Sequence, residues 1–487
     1  MVASWAVEEM AGVDLNDGRL NKRVTQLLSD LGERPTASIP AACGGSAEMT
    51  AAYRFFDNDK ATYAKILEPH EAKTRERVRA QKVVLCVQDT SEIELTRPQQ
   101  QVVGAGPLAT ASRQGIFLHL VEAFTPDGTP LGGIWSHTWA RDEATLETAA
   151  HDKRKQRKAA PIEAKESFRW LEGLRHTRAL AEECPDVTCV SVADSESDIY
   201  ELFAEPRGAT NPVHWLIRLC QDRALAVDPE EEEAAAQARL IRAGVAETPV
   251  LFTKAIAVRG RTPKVACEDR GRRQPRQDRQ AVMEVRAATL TLRPPPRPDR
   301  QLPEVTVNVV WVREVNPPAD DVPVEWLLVT TLPINDAEQV REIIQYYCVR
   351  WMIEVLFRTL KSGCRVEARR FEQVERVERC LAVYTIVAWR TLYVCRLGRS
   401  CPDLDCEAVF EPSEWKAVWM AVHRQSPPKK APRLAEMVRL VAQLGGYVNR
   451  PNREDPPGPQ TVWLGLQRMR DLAWGWDTFG PGAKKVV

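Results

Sequence analysis

Four polar residues in one late stretch carry the most chemical information in this chain. Between Asn335 and Ser362 the sequence reads NDAEQVREIIQYYCVRWMIEVLFRTLKS, uninterrupted by Pro or Gly. Asn335 followed by Glu338 has the form of a helix N-terminal capping pair, and Gly363 is placed to stop the helix. The stretch is therefore expected to be one long helix. At 100° per residue, Tyr347, Arg350, Glu354 and Lys361 fall within an arc of about 60°, while Val349, Met352, Ile353, Leu356 and Leu360 occupy a separate arc of roughly 100°. A carboxylate, an aromatic hydroxyl and two cations on one stripe suit a metal-dependent site acting on an anionic polymer. Glu354 can ligate a hard cation while Arg350 and Lys361 hold phosphates. The same four residues could equally form a solvated face, so the reading needs partners upstream.

Two partners are visible. VVLCV from Val83 is a continuous apolar run of the kind found in strands covered on both faces, and it ends in Gln88, Asp89 and Thr90. Asp89 is thus expected at the rim of a sheet. VTCVSVADSESDIYELF repeats the pattern: an apolar strand runs into Asp194, and a helix begins with an acidic first turn. Either Asp alone could be a turn or cap residue. Two of them at strand ends, where open α/β sheets bind ligands, together with a distant Glu on a helix, form a less ordinary set. HWLIRLC, His214 to Cys220, is a further buried strand with Arg218 after its apolar stretch.

The elements that must position these groups come from the whole chain. At 487 residues and 44% hydrophobic content, two to four domains with a sizeable core are expected. Lys plus Arg equals Asp plus Glu at 67 each, so net charge gives no hint of a polyanionic partner. The longest uncharged apolar run, Cys380 to Trp389, falls short of the ~20 residues that span a bilayer, and the N-terminal residues show no apolar h-region before a cleavage site. A soluble, cytoplasmic protein without a membrane partner is expected. The 12 cysteines look like reduced core thiols, and Cys395, Cys401 and Cys406 lack the spacing of a zinc site.

Residues 1 to about 75 are helical in pattern. Arg19 and Arg23 share one face of the second helix and Arg54 sits between aromatics in YRFF, where each could meet DNA phosphate or simply water. Gly115 to Phe124 and Thr129 to Trp139 are two strands around the turn TPDGT. The basic run Lys153 to Lys158 reads as solvated unless it borders a nucleic-acid site. From about 222 to 335 the chain leaves the α/β pattern for a β-rich insertion, with 13 basic and 5 acidic residues between Lys254 and Arg300. Trp326, near its end, reads as core or as a base-stacking ring. Helices are expected again from Val374 to Val394, Pro412 to His423, Leu434 to Leu444 and Val462 to Trp474. The segment with Arg365, Arg369, Arg370, Arg376 and Arg379 makes the region after the site basic.

Tyr347, two residues, Arg350, three residues, Glu354, six residues and Lys361 resembles the Y-R-E-K signature of the bacterial insertion-sequence-four family of DDE transposases, a group that includes the transposase of the composite transposon Tn5. DLNDGRLNKR and AAYRFF resemble that family's N-terminal module, and VQDT and DSESDI its first two acidic motifs. The resemblance implies an α/β protein: a ribonuclease-H-like catalytic core, a mixed sheet flanked by helices, over 76–370 with the β-rich insertion at about 222–335. A helical DNA-binding domain over 1–75 and a helical dimerisation domain over 371–487 would flank it. It implies that Asp89, Asp194 and Glu354 hold two Mg²⁺ ions, with Mn²⁺ as substitute. Arg350 and Lys361 would clamp transposon-end phosphates, Tyr347 would bond to the same backbone, Trp326 would receive a flipped base, and Arg218 would contact the DNA end. Ser195 departs from the pattern, since relatives carry a basic residue there. The implied activity is cut-and-paste transposition on double-stranded DNA, both terminal inverted repeats and target, by a homodimer, through nicking, hairpin formation and strand transfer. Two other readings remain: a catalytically silent transposase-derived DNA-binding protein or inhibitor, and a structure-specific ribonuclease-H-like nuclease.

Overall fold

Five helices open the chain: α1 (Ser4–Glu9), α2 (Gly18–Glu33), α3 (Ile39–Cys43), α4 (Ser46–Phe56) and α5 (Tyr63–Arg79). The computed structural model describes residues 2–97, 99–110, 112–142, 160–226, 239–260, 276–319, 321–448 and 456–481. It divides into two compact units, residues 1–149 with 351–487, and residues 150–350. α2 begins where the Asp17 side chain accepts from Arg19 N, and it turns Val24, Leu27, Leu28 and Leu31 inward at helical spacing. α5 begins likewise at Thr62, whose side chain accepts from Lys65 N.

The first unit then forms β1 (Val83–Glu94), β2 (Gly106–Pro107), β3 (Gln114–Phe124) and β4 (Pro130–Trp139). β3 pairs antiparallel with β1, β2 and β4. The hairpin expected around TPDGT is present, with Gly128 in the left-handed region (φ 83°) that a side chain would resist. Asp89 is not at the strand's end as expected from its polarity. β1 continues to Glu94, opposite Gly115, and Asp89 sits in mid-strand opposite Leu120. The buried run stops at Gln88 because cover thins there, and the ladder itself goes on.

The second unit contains α6 (Phe168–Glu183), β5 (Thr188–Ala193), α7 (Tyr200–Phe203), β6 (His214–Arg218), α8 (Ile241–Ala246), β7 (Phe252–Val258), β8 (Arg279–Leu292), β9 (Val305–Glu314), β10 (Glu325–Thr330) and α9 (Ala337–Val349). β5 and β6 are parallel, Ala193 opposite Ile217. β10 pairs antiparallel with β6, Leu328 opposite Arg218, and β9, β8 and β7 follow antiparallel. The β-rich stretch expected to interrupt the sheet therefore extends it. β8 buries alternate Ala281, Met283 and Val285, β9 and β10 bury longer runs, and β10 joins the stretch to β6 through its own ladder. The basic run at 153–158 and the acidic run at 228–233 lie outside the described residues.

The chain returns to the first unit with α10 (Trp351–Arg358), α11 (Val374–Ser400), α12 (Pro412–His423), α13 (Leu434–Leu444) and α14 (Pro459–Phe479). α11 is long and apolar enough to cross a bilayer, yet 78% of its most apolar window is buried inside the protein. It is a core helix that outruns the apolar run visible in sequence. Its C-terminal half packs with Trp415, Val418, Met437, Val441 and Val462 in a separate core, each such side chain contributing about 1.5–3 kcal/mol on burial. Strands of mixed direction with packed helices, between helical N- and C-terminal parts, make the ribonuclease-H-like α/β architecture that the resemblance implied.

A polar seam crosses the first unit. Arg77 on α5 binds Glu9 on α1 through two 2.9 Å bonds and also donates to Leu131 O at 2.5 Å. Gly133 N donates to His70 Nε2 at 2.9 Å, so the proton of His70 sits on Nδ1, 2.5 Å from Glu9. Burial opposes ionisation of Glu9, but His70 and Arg77 outweigh it and hold the carboxyl at about 2. Beside this satisfied network, Glu122 on β3 is fully buried and neither of its oxygens has a hydrogen-bond partner among the described residues.

Candidate active site

Asp89, Glu354 and Lys361 lie in the first unit, as do Arg19, Arg23 and Arg54. Asp89 is half-buried on β1, and its Oδ1 accepts from Thr90 N at 2.8 Å. α10 packs against β1 and carries half-buried Glu354. Past α10 the chain widens into a π-turn, Thr359–Gly363, closed by Cys364 N donating to Thr359 O at 2.8 Å. The turn changes the phase of the helix at Lys361, and π-turns inside helices often mark functional sites. Lys361 Nζ reaches Glu92 O at 2.7 Å, Ser91 Oγ at 3.5 Å and Glu367 Oε1 at 3.4 Å, just beyond Asp89 along β1. On the other face of the strand, buried His119 bonds Thr90 Oγ1 (2.8 Å) and Gln88 Oε1 (3.2 Å) and so pins the residues on both sides of Asp89.

The second unit gathers five more. Asp194 follows β5, and its Oδ1 caps the short turn Ser195–Ser197 by accepting from Glu196 N at 2.9 Å. Its Oδ2 faces the Arg218 guanidinium at 3.9 Å and accepts no hydrogen bond among the described residues. Arg218 ends β6 and lies 3.4 Å from Ser195 Oγ. Tyr347 on α9 is buried, with its ring 5.2 Å edge-on to half-buried Trp326 of β10 and 6.0 Å from the Arg350 guanidinium. Burial raises its phenol, against the pull of Arg218 and Arg350. Among the described residues Tyr347 Oη makes no hydrogen bond of good geometry, and Arg350, close enough for charge and a loose hydrogen bond, acts only to lower its phenol. Asp198, unremarked in sequence although it closes DSESD, is buried against Arg223 and accepts from Cys220 N and Gln221 N, which fixes the loop after Arg218. The spacing of the two aspartates in that motif was the available signal.

The expected single helix is divided. α9 ends at Val349, Arg350 is its C-cap, and α10 starts at Trp351. The N-cap of α9 is Asp336, which accepts from Glu338 N and Gln339 N, while Gln339 accepts from Asn335 N, so the capping pair lies one residue later than expected. The basic segment after the site is largely committed internally. Arg369 binds carbonyls of Pro35 and Ala37, Arg376 pairs with Asp57, and Arg379 binds Phe56 O and Asp59. Arg365 and Arg370 are exposed. Arg19 and Arg54 are exposed and Arg23 half-buried on their helices, so all three keep access to solvent.

Asp89 and Glu354 belong to one unit and Asp194 to the other. Among the described residues no three His, Cys, Asp or Glu side chains form a ready metal cluster. The donor chemistry nonetheless fits a hard divalent cation. All three are carboxylates, and Asp194 is largely buried with one oxygen free of hydrogen bonds.

Comparison with solved structures finds one described as the cryo-EM structure of piggyBac transposase synaptic complex with hairpin DNA. It is 9% identical, covers 78% of this chain and 66% of its own, and has a TM-score of 0.31, a likeness too distant to place any residue. Family matches run in order along the chain. Transposase DNA-binding matches residues 2–61, the transposase DDE domain matches 171–389, and the transposase Tn5 dimerisation domain matches 386–476. The middle match contains Asp194 and Glu354 and begins after Asp89. With a DNA-binding, a DDE and a Tn5 dimerisation domain in that order, the chain belongs to the Tn5-like DDE transposases.

Proposed function

We propose that the protein excises and inserts a mobile DNA element, acting in the bacterial cytoplasm on the nucleoid as a homodimer that holds two transposon ends. Asp89, Asp194 and Glu354 hold two divalent cations, Mg²⁺ or Mn²⁺. When bound, such cations polarise water or a 3′-hydroxyl and offset charge on the attacking and leaving oxygens of a phosphodiester. The protein's own residues do the rest. Arg218, Arg350 and Lys361 neutralise and orient the phosphates of the end, Lys361 exchanging its Glu367 pairing for DNA. Tyr347 Oη donates to the backbone, and Trp326 stacks on a base turned out beside the cut, which offsets the few kcal/mol of unstacking. This set serves a nick, a hairpin and a strand transfer in turn, with no protein nucleophile.

The observation that carries the reading is the grouping of Asp194, Arg218, Tyr347, Arg350 and Trp326 in one unit: a carboxylate beside guanidinium groups, an orphaned buried hydroxyl and a half-exposed indole. Buried polar atoms without partners cost stability, and a DNA phosphate would satisfy Tyr347. The test is Asp194→Asn and Glu354→Gln in cleavage assays on end-bearing DNA. Both variants are expected to bind the ends and to lose Mg²⁺-dependent cleavage. Undiminished cleavage by either would refute the carboxylate set. Full cleavage of DNA lacking the ends would favour a structure-specific nuclease.

A further inference from the structure

The turn that carries Lys361 is held from three sides within its unit. Lys361 itself reaches β1 at Glu92 O. Gly363 lies under the Trp463 ring of α14, where an added methyl group would stand 3.0 Å from the ring carbons. Cys364 O accepts from Arg369 Nη2 at 2.6 Å. Arg369 is buried, its Nη2 also donates to Pro35 O at 2.8 Å, and its Nη1 donates to Ala37 O. Both of those carbonyls belong to the loop that follows α2 in the N-terminal helical module. The guanidinium lies 4.6 Å from the Tyr384 ring centroid, no carboxylate pairs with it, and its Nε has no partner among the described residues.

Burying a guanidinium without a counter-ion is costly, and an apolar side chain of similar volume would fill the space without that cost. What an apolar side chain could not do is join two separate segments. The planar fork of arginine offers donors in fixed directions, and here they meet carbonyls 35 and 37 on one side and 364 on the other. We propose that Arg369 is a positioning residue that locks the Lys361 turn to the Pro35–Ala37 loop, so that the state of the N-terminal module sets the placement of the phosphate-binding lysine. The proposal rests on the role given to Lys361 above.

Two measurements on the full-length protein test it. Hydrogen exchange on the DNA-free protein reads the coupling directly. Arg369→Gln is expected to speed exchange at 359–364 and at 35–37 together while β1 and β3 keep their protection. Unchanged exchange at 359–364 overturns the proposal. A double-mutant cycle reads the consequence for cleavage. Lys361→Ala alone is expected to slow end cleavage roughly 10- to 100-fold, the range for loss of a hydrogen bond to a charged group. In the Arg369→Gln background it should cost less than about threefold, because the lysine is already misplaced. Equal costs in both backgrounds overturn the proposal. If Lys361→Ala has no effect in the otherwise native protein, the phosphate role of Lys361 is wrong, and exchange alone decides the coupling. Arg369→Lys, which keeps the cation but reaches fewer carbonyls, should lie between the native protein and Arg369→Gln in both assays, and it carries the same comparison if the Gln variant does not fold.

Discussion

Replacing Glu122 by Leu should stabilise the protein, and by an amount that grows with pH. Burial pushes this carboxyl up to about 8, with Arg77 opposing and Glu9 reinforcing the shift, against an ordinary value of 4.5. A methyl group on Gly133 would lie 3.6 Å from both Glu122 Oε2 and His70 Nε2, so the groups facing Glu122 are His70, Arg77 and the ionised Glu9. Because the folded value is raised, the stability linked to this group is fully present below about pH 4.5 and is lost as pH rises through about 8. At pH 7 the folded chain keeps a proton that the unfolded chain has released, about 2.5 pH units above the ordinary value, which corresponds to roughly 3 kcal/mol at 1.36 kcal/mol per unit. Leu removes that linkage and fills a similar volume. Urea unfolding of both proteins at several pH values, followed by tryptophan fluorescence, is the assay. The stability difference in favour of Glu122→Leu should widen by roughly 2 to 3 kcal/mol between pH 5 and pH 7. A difference that is constant across this range, or one that favours the native protein at pH 7, would show that Glu122 is ionised against a charged partner.

Tyr347→Phe should leave thermal stability unchanged or raise it, by up to about 1–3 kcal/mol, because the hydroxyl it removes is buried without a well-formed hydrogen bond among the described residues. The same variant should slow end cleavage, and a lower melting temperature would contradict the orphaned state. Trp326→Ala should impair hairpin formation more than the first nick, measured on gels that resolve the two products; equal loss at both steps counts against a stacking role. Arg19→Ala, Arg23→Ala and Arg54→Ala should each reduce the salt dependence of end binding by about one unit in the log–log slope, and an unchanged slope removes that residue from the phosphate contacts.

Much of this architecture was legible because it rests on local pattern. The helices Pro412–His423 and Leu434–Leu444 begin and end where Pro, acidic first turns and Gly predict. The buried strands around Val84, Val190 and Leu216 show as apolar runs for the same reason, since a strand covered on both faces needs no alternation. Where pattern misled, a non-local contact decided the outcome. Asp89 looks like a strand end because polarity begins there, but the ladder with β3 carries β1 on to Glu94. The arginines after Gly363 make that segment basic in sequence, but distant carbonyls and carboxylates of the N-terminal module claim three of them.

The amino-acid order by itself settled the element types, the separation into helical and β-rich stretches, and the residue types able to hold cations and phosphates, because these depend on periodicity and side-chain chemistry within a few neighbours. Only the tertiary structure decided that the insertion continues the sheet through β10 on β6, that Tyr347 is buried with an unused hydroxyl beside Trp326, and that Arg369 serves backbone rather than solvent. The physical reason is that sheet order, burial and hydrogen-bond satisfaction depend on which distant segments meet, and no local spacing encodes that meeting.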